Sequence, residues 1–143
     1  MNSLENNSTA PDQSSSNDLS AFYQRYIAAL NERNFDLVAT LVSDEVKING
    51  QSSKPADVLA GLQWLTDIVP DYIWQIEDLF VDGERIAARL QDRGTPAKTF
   101  FGAEPTGSSI AFTEFASYRV QNSLFTEMWY LLDTASIVEQ LKK

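Results

Sequence analysis

The chain contains no cysteine and no histidine. Disulfides, zinc sites built from thiolate or imidazole ligands, cysteine nucleophiles and every Ser-His or Cys-His relay are therefore excluded. Proton transfer, if the protein performs it, falls to Asp, Glu, Tyr or Lys. Neither an EF-hand loop nor a phosphate-binding glycine loop is present, so no cofactor and no metal are expected. Basic residues are scarce as well, with 11 Lys and Arg against 20 Asp and Glu, a formal net charge of −9. Phosphate backbones and anionic headgroups are held by Lys and Arg, so neither nucleic acid nor a membrane surface is an expected partner. No apolar run approaches the ~20 residues of a membrane span. The opening residues lack the basic and apolar segments of a signal peptide, so a soluble cytoplasmic protein is expected.

What the chain does have is enough apolar material for a core. Of its 143 residues 43% are hydrophobic and 11% aromatic, the composition of one globular domain. Residues 1–17, MNSLENNSTAPDQSSSN, are the exception. Dominated by Ser, Asn and Gln, they read as a disordered polar tail. The ordered domain is expected to occupy residues 18–143.

Leu19, Phe22, Tyr23, Tyr26, Ile27 and Leu30 recur at the spacing of a one-faced helix, with Asn17 or Asp18 available as its cap. Phe35, Val38, Leu41 and Val42 mark a short second helix, and EVKING a brief strand ending in an Asn49-Gly50 turn. Pro55 opens a third helix whose buried face is Val58, Leu62, Leu65 and Ile68, and Pro70 closes it. From there strands dominate. Tyr72 to Val81 and Arg85 to Asp92 flank the hairpin signal Asp82-Gly83, and Ser108 to Val120 and Leu124 to Leu132 form a second hairpin. Between the hairpins a Gly/Pro-punctuated connection holds a possible short strand at Lys98 to Phe101. Thr134 to Leu141 suits a last helical turn or two. Helices first and hairpins after indicate an α+β fold with a curved antiparallel sheet, one face covered by the three N-terminal helices. Large residues on the other face predict a homodimer through it.

Four stretches, FYQRYIAALNERNFDLVATLVSDEVKING, PDYIWQIEDLFVDGERIAARL, FFGAEPTG and TEMWYLLDTASIVEQL, resemble in order and spacing the SnoaL-like polyketide cyclases and their ester-cyclase-like relatives. The resemblance spans Leu19 to Leu141. Its most specific parts are the Gly102-x-x-Pro-Thr-Gly107 linker and Glu127-x-Trp129-x-x-x-Asp133. It implies the cone-shaped α+β fold of the nuclear transport factor 2-like superfamily, usually dimeric. It also implies cofactor-free acid/base chemistry by an Asp near the end of the last strand, which maps onto Asp133. Pro96 and Met128 stand where relatives often carry His.

Asp133 thus has two readings. Strand alternation places Glu127, Trp129, Leu131 and Asp133 on one face. If that face lines the cone, Asp133 is a catalytic carboxylate in apolar surroundings, its pKa raised by burial. The other reading is a helix N-cap. Trp129 would shape the pocket. Arg89 would hold an oxyanion or form a rim ion pair, and Asn49 would donate a hydrogen bond at the cavity mouth or serve only as a turn residue. Two functions are expected to compete. One is a lyase or isomerase acting on an apolar, carbonyl-bearing small molecule; the other is a non-catalytic module binding a hydrophobic molecule or partner.

Overall fold

A computed structural model describes residues 10–142. The first helix, α1, spans Ala10–Asn31, so its backbone begins inside the stretch expected to be a polar tail; residues 1–9 lie outside the described part. Once the apolar face of residues 19–30 is docked, each residue added at the N-terminal end gains a hydrogen bond without a new nucleus. Pro11 is tolerated in the first turn, where an N–H would have no partner. Asn17 and Asp18 consequently lie within the helix and do not cap it.

The remaining elements are α2 Phe35–Thr40, β1 Val42–Ile48, β2 Gln51–Ser52, α3 Pro55–Ile68, β3 Ile73–Asp82, β4 Arg85–Gly94, β5 Ile110–Gln121, β6 Leu124–Leu132 and α4 Thr134–Gln140. They form an α+β cone, a curved, unclosed six-stranded sheet in the order β2-β1-β6-β5-β4-β3. The sheet is not wholly antiparallel: β1 runs parallel to β6. The strand expected at Lys98 to Phe101 is reduced to a single bridge between Phe100 and Ala103. Among the described residues no helix is long and apolar enough to cross a membrane.

The core lies between the helices and the concave face. From α1 come Phe22, Tyr23, Tyr26 and Ile27, and from the sheet Ile86, Leu90, Phe112, Tyr118 and Phe125, all buried. Arg33 staples the end of α1 to the start of β3, donating to the carbonyls of Leu30, Pro70 and Tyr72. The β5–β6 hairpin turns through Asn122 and Ser123, both at positive φ, the backbone that a two-residue hairpin loop requires.

A bulge in β6 decides what the cone contains. Pairing with β5 shifts between Arg119–Glu127 and Val120–Phe125, leaving Thr126 as the extra residue. Phe125 and Met128 are both buried, three residues apart. An extra residue reverses side-chain parity beyond it. Met128, Tyr130 and Leu132 therefore face inward, while Glu127, Trp129 and Leu131 face outward.

Candidate functional site

A cavity of about 480 Å³ lies between α1, α3 and the concave face of the sheet. Its deep walls are Tyr26, Leu30, Trp74, Leu90, Tyr118 and Met128, and its mouth carries Trp64, Phe101 and Tyr130. The mouth residues are the solvent-exposed ones: Trp64, Phe101 and Tyr130 are 51%, 41% and 48% exposed. Among the described residues the only Asp, Glu, Lys or Arg side chains on its wall are Asp57 and Glu114. Asp57 is occupied in capping α3, accepting from the Lys54 N–H at 2.9 Å. Glu114 has no such duty.

Glu114 arises from an interruption in a strand pattern. Along β5 the inward positions are Ile110, Phe112, Glu114, Ala116, Tyr118 and Val120, every one buried. Across from it on β4, Ile86, Ala88, Leu90 and Asp92 are buried in the same alternation. Register pairs Leu90 with Glu114 and Asp92 with Phe112, so Asp92 and Glu114 are diagonal neighbours on one face, within side-chain reach. Behind them, the Tyr72 hydroxyl donates to Asp92 Oδ2 at 2.5 Å, and both residues are wholly buried.

Two carboxyls so close and so dry cannot both ionise. Burial, then the hydrogen bond to Asp92, then the Asp92 charge, hold the Glu114 pKa well above the ordinary carboxylate range. Burial also raises Asp92, while its hydrogen bonds with Glu114 and Tyr72 pull it back down. Burial thus favours the protonated form of the pair, and a shared proton is what its two unpartnered buried oxygens, Asp92 Oδ1 and Glu114 Oε1, call for. The result is a row from Tyr72 through Asp92 to Glu114, whose last member reaches the cavity wall. Tyr23, Tyr26 and Tyr118 surround its deep end, and burial raises each phenol above its ordinary pKa. Tyr23 and Tyr118 are hydroxyl to hydroxyl at 3.1 Å.

The residues singled out from sequence lie elsewhere. Asp133 is exposed and caps α4, its Oδ1 accepting from the Ser136 N–H at 3.1 Å; it is not part of the cavity lining. The bulge at Thr126 is the cause, because it turns the face of Trp129, Leu131 and Asp133 away from the cone. Trp129 lies on the convex face beside Gly50, 44% exposed, and is not a pocket wall. Arg89 is also convex, paired with Asp78 at 2.8 Å; the two stand directly opposite in register. Both are more than a third exposed, so solvent screens the pair and it stabilises little. Asn49 adopts a left-handed turn, φ 50°. Its N–H donates to the Met128 carbonyl at 2.8 Å, and its Oδ1 accepts from the Tyr130 N–H at 3.0 Å. It clasps the β1–β2 turn onto β6 and so holds the strand that carries Tyr130. None of the four is brought together with Glu114. The sequence reading missed Glu114, Asp92 and Tyr72, although a glutamate at an inward position of an apolar strand is itself a signal.

A family model described as SnoaL-like polyketide cyclase matches residues 20–141. The solved SnoaL-like polyketide cyclase of Agrobacterium tumefaciens strain C58 is similar at 30% identity, over 87% of this chain and 98% of that one, with a TM-score of 0.81. IdmH of Streptomyces antibioticus is similar at 22% identity, over 85% and 96% of the two chains, with a TM-score of 0.78. AclR of Streptomyces galilaeus is similar at 17% identity, over 88% and 96%, with a TM-score of 0.77. At these last two identities the likeness concerns the fold alone. No curated protein matches the chain.

Proposed function

The chain belongs to the SnoaL-like polyketide cyclase family, and from that premise we propose that its cone is the active site of a cofactor-free lyase or isomerase. The substrate is an apolar, carbonyl-bearing small molecule, and Glu114 is the group that moves the proton. The observation that carries this reading is a buried carboxyl, its pKa raised by burial, on the wall of a largely apolar cavity. Such a group donates a hydrogen bond to a substrate carbonyl oxygen and can surrender its proton as negative charge develops there. In an aldol-type closure the nucleophilic carbon reacts as its enol: the carbon–carbon bond forms as the acceptor carbonyl oxygen takes the Glu114 proton, and the enol O–H gives its proton to the Glu114 carboxylate, so the enzyme is unchanged. Asp92 does not touch the substrate; fixed by Tyr72, it holds the Glu114 carboxyl in place. Asp133 keeps a structural task as the α4 cap.

A second reading is a binding module using the same cavity. It is favoured by the engagement of the second carboxylate on the cavity wall, Asp57, with the head of α3, and by that of Asp133 with helix amides. The two are separated by following α-proton exchange of an aryl β-keto ester by NMR with wild-type protein and with Glu114→Gln.

The convex face supports a second copy of this chain as partner. Phe80, Phe115, Trp129 and Leu131 are all exposed there, on β3, β5 and β6, three strands whose register through β4 places them on one side of the sheet. Isolated exposed apolar residues are ordinary; a contiguous set calls for a cover.

A further inference from the structure

The connection between β4 and β5 contains one turn whose sequence contradicts its backbone. Phe100 N–H donates to the Ala103 carbonyl at 2.9 Å, and Ala103 N–H to the Phe100 carbonyl at 3.0 Å, closing a two-residue loop of Phe101 and Gly102. Both loop residues are left-handed, with φ of 49° and 83°. Asn-Gly is the usual content of such a loop, because Asn accepts the left-handed region and a bulky side chain does not. Gly102 obeys this rule and Phe101 violates it.

The Phe101 ring packs on that of Phe100, centres 4.8 Å apart, yet it is only partly covered. The turn is anchored by Phe100, which is wholly buried with its ring centre 6.3 Å from that of Phe112. Phe101 itself is 41% exposed. Its ring lines the cavity and stands nearly perpendicular to the indole of Trp64, centres 6.0 Å apart. Trp64 is half exposed and lines the same mouth. A bulky residue kept in a strained conformation and partly exposed at a cavity mouth points to a functional position.

We propose that Phe101 is a specificity-determining residue, forming with Trp64 an aromatic jaw that retains an uncharged, ring-bearing ligand in the cavity. This rests on the reading that the cavity binds an apolar small molecule. The strained backbone aims the ring across the mouth, where an Asn-Gly turn would leave it open. Ring-on-ring contact at the rim then slows release more than it speeds capture.

The test uses the neutral dye N-phenyl-1-naphthylamine, with release followed by stopped-flow fluorescence. Phe101→Asn suits the left-handed backbone and deletes the ring, so release is expected to accelerate about tenfold while the thermal midpoint stays level or rises. Phe101→Leu keeps the strain without the ring and is expected to release equally fast with no gain in midpoint. An unchanged release rate in Phe101→Asn would overturn the assignment. So would a lowered midpoint, which would make the ring a packing residue. The cavity reading is checked separately with Gly61→Phe: Gly61 lines the cavity and a Cβ there meets nothing within 4 Å, so the new ring fills the space. Wild-type binding that Gly61→Phe abolishes supports the site. No wild-type binding, or binding that survives Gly61→Phe, overturns the cavity reading itself.

Discussion

Asp92 on β4 and Glu114 on β5 are diagonal neighbours on the concave face, both buried, and burial raises the pKa of each. The Tyr72 hydroxyl fixes Asp92 from behind at 2.5 Å, which leaves Glu114 as the member turned toward the cavity. A fold selected only for stability would place a hydrophobic pair here, since burying carboxyls costs several kcal/mol per ion even after relaxation. Keeping them is consistent with the proton-transfer role proposed for Glu114.

That arrangement has a sign that can be measured. Glu114 binds its proton more tightly in the folded chain than in the unfolded one, so its contribution to stability is full below the unfolded carboxylate value of about 4.3. It is lost as pH rises through the raised folded value. Glu114→Gln removes this dependence. In urea unfolding between about pH 4 and 9, the wild type is expected to lose stability relative to the variant as pH increases. Parallel curves would show that Glu114 is not held neutral.

Asp133 is expected to behave as a cap and nothing more. Asp133→Ala removes the acceptor for the Ser136 N–H and should cost about 1 kcal/mol in chemical denaturation. Asp133→Asn, which keeps an acceptor oxygen, should cost a few tenths at most. Neither change is expected to alter proton exchange on a β-keto ester, measured by NMR.

The convex patch predicts association. Leu131, 73% exposed beside Phe115, becomes a buried, unpaired charge as Leu131→Glu in a dimer that covers the patch. Sedimentation velocity is expected to show a dimer for wild type and a monomer for the variant, with matching circular dichroism. A monomeric wild type at tens of micromolar would remove the reason for the patch.

The fold was largely legible in the sequence because periodicity carried it. The apolar spacing of Phe22, Tyr26 and Leu30, Pro55 at the head of α3, and Asp82-Gly83 between β3 and β4 are local signals, and local physics decided those elements. Two features were not local. The parallel pairing of β1 with β6 joins segments about 80 residues apart in the chain, and no window of sequence records it. The bulge at Thr126 is set by how β6 meets β5. Alternation grouped Trp129 with Asp133 on one face but left open whether that face lines the cone, and the extra residue is what turns it outward while Phe125 stays buried. Glu114 was visible in principle, a lone acid among Ile110, Phe112, Ala116 and Tyr118. Its partner Asp92 lies 22 positions earlier, and only the strand register brings the two together.

The proton-transfer role of Glu114 is tested most directly by α-proton exchange of an aryl β-keto ester, followed by NMR in deuterated buffer with wild type, Glu114→Gln and Asp133→Asn. The account predicts catalysed exchange by wild type and by Asp133→Asn, and a loss of about 10²- to 10⁴-fold in Glu114→Gln, with folding and dye binding intact. Full exchange by Glu114→Gln, or its loss in Asp133→Asn alone, would contradict it.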